Sequence, residues 1–209
     1  QTQNVERSHS RRGSGVAEEV AVNGILVVLS GPSGVGKTAL SDRVIAMGDY
    51  VRAITATTRS PRDGEKNGVD YHFLDRSAFE VRIGEKGFLE YAEVHGNLYG
   101  SPRQDIEKQQ EAARAVLLLI DVQGAENLRR HDVDALHVFL EPPSLEELQR
   151  RLANRGDETE QEIKLRLENA LAELKHKDRY DHCVVNSDLG RATDQLIGII
   201  EAEWQRRNG

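Results

Sequence analysis

Residues 31 to 40 read "GPSGVGKTAL" and match the spacing G-x-x-x-x-G-K-[ST] at Gly31, Gly36, Lys37 and Thr38. Glycines at that spacing let successive backbone N–H groups turn into one concavity, and a helix opening at Lys37 adds its positive dipole end. A lysine there reaches the outer phosphates of a bound nucleotide, and the hydroxyl of Thr38 can meet Mg²⁺. The apolar run "ILVVLS" before the loop and the helical spacing after it supply the strand and helix this chemistry needs. A bound nucleoside triphosphate follows; the acceptor of its phosphate does not, because ATPases, GTPases and small-molecule kinases all use such a loop.

A second constellation lies in "TTRSPRDGEKNGVDYHF". Arg59 and Arg62 flank a proline-fixed turn and Tyr71 follows, so two guanidinium forks and a phenol can grip one phosphate group. "EYAEVHGNLYGSPR" adds Tyr99 as a second phenol, with Glu90 and Ser101 as a carboxylate and a hydroxyl. A purine with a ring N–H and an exocyclic amine needs an acceptor carboxylate, and its carbonyl needs a donor. Glu90 with Ser101 and Thr55 can therefore read guanine, whereas adenine would leave the carboxylate unpaired.

The elements that must position these groups alternate along the chain. Strand-type runs at 25–30, 51–55, 115–120, 136–140 and 182–186 are separated by helical patterns, as in a parallel sheet flanked by helices. "AVLLLI" is continuously apolar, so its strand is covered on both faces. Two segments break the rhythm. Residues 56–101 predict an inserted α+β subdomain with a strand at "DYHFL", a helix from about Ser77 and a strand at "FLEYAEVH". Residues 150–176 predict two helices interrupted at "NRGDET", with a capping-box signature at Thr159 and Glu162, forming a flap over the ligand edge. A last helix is expected over about 189–207, with Trp204 as packing.

Composition narrows the function classes. The 209 residues suit one core domain with insertions, 24–209, and the polar stretch 1–23 reads as a disordered tail without an apolar signal segment. The net charge of −7 argues against binding along a nucleic-acid backbone. No apolar run is long enough to span a bilayer. The single cysteine, Cys183, excludes an internal disulfide framework, fits a reducing, cytoplasmic setting, and reads as a small buried strand residue. The histidines show no H-x-x-x-H spacing, and no transition metal is assigned.

Taken in order, "GPSGVGKT", "TTRSPRDGEKNGVDYHF", "FLEYAEVHGNLYGS", "DVQGA", "RLANRGDETEQEIKLRL" and "VVN" resemble the guanylate kinase family over roughly residues 24–205. The resemblance implies a P-loop α/β fold with a core of 24–55, 102–149 and 177–209, a GMP-binding subdomain at 56–101 and a lid at 150–176. It implies phosphorylation of GMP by ATP with Mg²⁺, in a monomer or homodimer. Carried over by position, Ser33, Gly34, Val35, Gly36, Lys37, Thr38, Ala39 and Asn186 would meet ATP, with Asn186 by the adenine. Arg59, Arg62, Tyr71 and Tyr99 would meet the GMP phosphate. Thr55, Glu90, Ser101 and Asp121 would surround guanine, and Asp121 would also support the metal indirectly. Arg151, Arg155 and Arg166 would be lid arginines at the transferring group.

The chain departs from the family pattern at two positions. Thr55 stands where a serine is usual and keeps the hydroxyl. Leu119 stands where an acidic residue is common, leaving Asp121 to serve that strand end. Two other readings compete: a non-catalytic domain of this type that binds protein partners, and a kinase of the same fold acting on a ribose phosphate. The first typically loses the phosphate loop, which this chain keeps; the second would not need Glu90, Ser101 and Thr55 set for a purine edge.

Overall fold

The computed structural model describes residues 24–94, 96–153 and 160–209. Five parallel strands form the main sheet: β1 Ile25–Ser30, β2 Tyr50–Arg52, β7 Ala115–Leu119, β8 Leu136–Glu141 and β9 His182–Val185, in the order β2-β7-β1-β8-β9. The central strand shows why the sheet is wound on both sides. Ile25, Val27 and Leu29 point into one core with Leu40 and Val44 of α1 (Lys37–Ile45) and Leu196 and Ile200 of α7 (Leu189–Asn208). Leu26 and Val28 point into another with Ile106 of α3 (Arg103–Ala112) and Ala125 and Leu128 of α4 (Val122–Arg130). These five β1 side chains are essentially fully buried, each contributing about 1.5–3 kcal/mol relative to exposure.

A second sheet is built from β3 Ala56–Thr57, β4 His72–Phe73, β5 Phe88–Val94 and β6 Asn97–Pro102, in the order β4-β3-β6-β5. It has its own small core of Ala56, Phe79, Phe88 and Leu98, in which Phe79 of α2 (Arg76–Gly84) stacks on Phe88 at 4.4 Å between centroids. Asp75 caps α2 by accepting from the Ala78 amide. α4 packs against β5, and the Asn127 amide donates to the Tyr91 carbonyl at 3.0 Å, which ties the small sheet to the large one.

Helices α5 (Leu145–Ala153) and α6 (Glu160–Leu174) flank residues 154–159 and pack through Leu148, Leu152 and Ala170. Ser144 caps α5 by accepting from the Glu147 amide at 3.1 Å. The expected capping box at Thr159 and Glu162 and the role expected of Arg155 fall on parts of the chain outside the described residues.

Several expectations need correction. The strand expected over 51–55 ends at Arg52, because the chain leaves the main sheet there to enter the small one at Ala56. The strand at "DYHFL" is only His72–Phe73, paired beside the two-residue β3. Cys183 lies in a strand as expected but is exposed: β9 is an edge strand, and its inward residue is Val184, fully buried. The hairpin strand β6 adds a strand to the one expected at "FLEYAEVH", while α3 and α4 occupy stretches between the main strands, where helical patterns are expected. Trp204 packs against the core, with the Arg114 guanidinium 4.8 Å from its ring centroid.

Candidate active site

The loop after β1 runs along the C-terminal edge of the main sheet. Gly31, Gly34 and Gly36 take positive φ, and the neighbours explain why each is glycine. A Cβ at Gly31 would collide with the Leu140 carbonyl oxygen, one at Gly34 would meet Leu152 at 2.8 Å, and one at Gly36 would meet the Asn186 amide at 2.6 Å. Val35 is buried, while Ser33, Thr38 and Ala39 lie at least partly exposed along the loop and first helical turn. Lys37 Nζ donates back to the carbonyls of Gly31 and Pro32, the latter at 3.2 Å, so the ammonium lies across the loop's own mouth.

One cavity of about 210 Å³ joins this loop to the small sheet; it is lined by Lys37, Thr55, Tyr71, Glu90, Tyr99 and Asp121, among others. Glu90 is buried, and Ser101 donates its hydroxyl to Glu90 Oε1. Burial pushes the Glu90 carboxyl up to about 7; the Ser101 hydrogen bond opposes the shift and the charge of Asp121 adds to it. Gly124 permits this placement, since a Cβ there would stand 3.2 Å from Glu90 Oε2. Asp121 caps α4 by accepting from the Gly124 amide at 2.8 Å.

At the other end of the cavity, Tyr71 and Tyr99 meet edge to face at 6.2 Å, and Arg59 lies 5.5 Å from the Tyr71 ring centroid. Burial pushes the Tyr71 phenol up. Arg62 is exposed on the adjoining turn, outside the cavity lining. Leu119 ends β7 with its side chain half-buried, packed against the core and facing the same cavity.

Arg151 and Asn186 meet the loop from behind. Arg151 donates to the carbonyls of Val35 at 3.2 Å and Asn186 at 3.1 Å, and to Glu147 at 2.8 Å. The Asn186 amide donates to Val35 as well, at 2.8 Å, so one loop carbonyl takes two donors. Arg166 is half-buried on α6.

A sequence profile of the guanylate kinase family matches residues 23–203, which take in the loop, the cavity and the small sheet. The chain belongs to the guanylate kinase family. A guanylate kinase of Thermus thermophilus is 44% identical over 188 residues, 90% of this chain and 85% of that one. One from Clostridium perfringens strain 13 is 41% identical over 181 residues, 86% of this chain and 84% of its own. The crystal structure of guanylate kinase from Anaplasma phagocytophilum superposes with a TM-score of 0.70 at 34% identity, covering 88% of this chain and 87% of that one.

Two features of this guanylate kinase family member escaped the sequence. Glu173 on α6 has a buried Oε2 with no hydrogen-bond partner among the described residues; burial pushes its carboxyl up, while the charge of Lys37 opposes and that of Asp121 adds. An acid inside the otherwise apolar "ALAEL" was the available signal. Glu65, in the turn "DGEKNG", accepts from both Arg59 and the Arg62 amide, and no spacing rule marks it.

Proposed function

We propose that the chain transfers the γ-phosphoryl group of ATP to GMP, giving ADP and GDP. The observation that carries this reading is the shared cavity, in which the phosphate-loop lysine and a buried carboxylate paired with a hydroxyl face the same space. In this reading residues 56–101 form the GMP-binding subdomain, 150–176 the lid, and 24–55, 102–149 and 177–209 the core. The 1–23 stretch stays outside the enzyme proper.

Donor binding falls to the loop. Amides of Gly34, Val35, Gly36, Lys37, Thr38 and Ala39, with Ser33 at the rim, surround the ATP phosphates, and Lys37 leaves its loop carbonyls for the phosphate oxygens. Asn186 stands on the adenine side. Acceptor binding falls to the small sheet. Arg59, Arg62, Tyr71 and Tyr99 hold the GMP phosphate, and the ionised Glu90 accepts from the guanine ring N–H and amine. Ser101, Thr55 and Asp121 complete the base site.

The residues fit a magnesium ion. Thr38 offers a hydroxyl beside Lys37 at the open side of the loop, and the carboxylates of Asp121 and Glu173 lie close enough to act on one another's charge. Magnesium keeps several waters and takes phosphate oxygens, so a hydroxyl and nearby carboxylates are the kind of partners it needs. When bound, Mg²⁺ neutralises charge on the phosphate oxygens.

Transfer then requires alignment rather than a covalent intermediate. An oxygen of the GMP phosphate attacks the γ-phosphorus in line, and the bond to the β,γ-bridging oxygen breaks. Lys37, Arg155 and Arg166 supply positive charge at the passing group. Arg151 joins them from its position on Val35 and Asn186, so that its part begins with bracing the loop. Closing the lid keeps water from the γ-phosphoryl group.

No helix among the described residues is long and apolar enough to cross a membrane. The proposal places the enzyme in the cytoplasm, as a monomer or homodimer. Incubating the chain with ATP, Mg²⁺ and GMP should yield ADP and GDP in equal amounts by phosphorus NMR. Release of inorganic phosphate instead, with GMP untouched, would overturn it.

A further inference from the structure

Glu65 lies in the turn between β3 and β4 and spans both arginines of the acceptor site. Its Oε1 accepts from Arg59 Nη2 at 2.9 Å, and its Oε2 accepts from the main-chain amide of Arg62 at 2.7 Å. The Arg59 and Glu65 side chains are only 16% and 19% exposed, so this pair is shielded from solvent far more than an ordinary surface ion pair. The other fork of Arg59 donates to the Ser60 carbonyl at 2.7 Å, and the guanidinium lies over the rings of Tyr71 and Phe73 at 5.5 and 5.9 Å. The hydrogen bond from Arg59 holds the Glu65 carboxyl below its ordinary range, so it is ionised at neutral pH.

We infer that Glu65 is a positioning residue of the acceptor-phosphate site, setting the Arg59 guanidinium and the Arg62 backbone at the separation a single phosphate group requires. This rests on the acceptor-site reading above. The physical ground is preorganisation. A guanidinium has five N–H donors; Glu65, Ser60 and the Tyr99 side chain take one each, and the remainder are held in a fixed plane that the incoming oxygens can meet. The turn holding Arg62 is otherwise polar and exposed, and without the carboxylate its ordering would have to be supplied by the ligand. Because the positioning serves the bound phosphate before and during transfer alike, its loss should appear in KM rather than in kcat.

Glu65→Ala and Glu65→Gln separate the possibilities. Alanine removes both acceptors. Glutamine keeps one oxygen for Arg59 but turns an amide toward the Arg62 N–H, so it should restore only part of the effect. For the alanine variant the expected result is a KM for GMP raised roughly tenfold or more, with kcat and the KM for ATP held within about twofold. The glutamine variant should fall between. Titration with guanosine, which lacks the phosphate, should give the same affinity in all three proteins. Equal or tighter GMP binding in Glu65→Ala would overturn the inference by showing that the carboxylate competes with the phosphate. An equal loss for guanosine and GMP would overturn it by showing a general collapse of the subdomain. A parent chain that bound GMP no better than guanosine would remove the acceptor-site reading beneath it.

Discussion

Ser101 on β6 donates its hydroxyl to the buried carboxylate of Glu90 on β5, across one antiparallel hairpin and at the wall of the cavity that Lys37 also lines. A carboxylate so placed has lost water on most sides and, among the described residues, holds a single side-chain donor, so it gains from a ligand that brings more. Guanine brings two.

A pH dependence follows, and its sign differs between stability and binding. Glu90 has a folded-state value of about 7 against 4.5 ordinarily. Its contribution to stability is therefore complete below about 4.5 and declines as pH rises through 7. Binding runs the other way, since the ionised form accepts from guanine. Guanosine affinity, free of the phosphate's own titration, should rise roughly tenfold between about pH 6 and pH 8. The Glu90→Gln variant should show a flat profile, and a calorimetric titration series would read both.

Gly124→Ala should act on the same carboxylate from behind. The added methyl meets Glu90 Oε2 at 3.2 Å and Ile120 at 3.3 Å. Alanine favours the helix by about 1 kcal/mol, which offsets part of the crowding. The expected outcome is a raised KM for GMP, an unchanged KM for ATP and a melting temperature within a few degrees, checked by steady-state kinetics and thermal unfolding.

Lys37→Ala should lower kcat by about 10²–10³ with the fold intact, since charge at the phosphates is the main catalytic contribution. Circular dichroism and single-turnover kinetics would read this. The lysine's bonds go to the loop's own Gly31 and Pro32 carbonyls, and the loop is held besides by Asn186 and Arg151 on the Val35 carbonyl.

Leu119→Asp tests the departure from the family pattern. Leu119 packs against the core and faces the cavity, so a charge there is partly desolvated and should cost about 1–3 kcal/mol of stability. A third carboxylate beside Glu90 and Asp121 should also move the guanosine pH threshold upward. Chemical denaturation and the same calorimetric series would show both effects.

Legibility in the sequence varies by element. β1, β7 and β8 were legible because a strand covered on both faces must be apolar throughout, and the phosphate loop because its glycines answer to specific close approaches. The two-residue strands β3 and β4 were beyond periodicity, since two residues have no period. β6 was hidden by "GNLYGSP", whose glycines and proline read as a turn although Gly100 serves to admit Phe79 and Phe88. Burial of Cys183 failed because composition does not reveal which strand is the edge. At the site, Glu90, Tyr71 and Tyr99 stand around one cavity with Ser101 bonded to Glu90, and their residue types were the signal that grouped them. Arg151 was expected at the reacting phosphates and is found on the Val35 and Asn186 carbonyls, a placement set by where α5 meets the loop. Glu173 and Glu65 act through three-dimensional relationships with Lys37 and Arg59 that no local pattern records.

The central claim is that the carboxylate of Glu90 selects a guanine nucleotide to receive phosphate from the loop at 31–38. The most direct test is the ratio of kcat/KM for GMP to that for AMP, measured with ATP and Mg²⁺ in the parent chain and in Glu90→Gln. The account predicts a ratio of about 10³ or more in the parent and a fall of at least about tenfold in the variant. Equal turnover of AMP and GMP by the parent chain would contradict it.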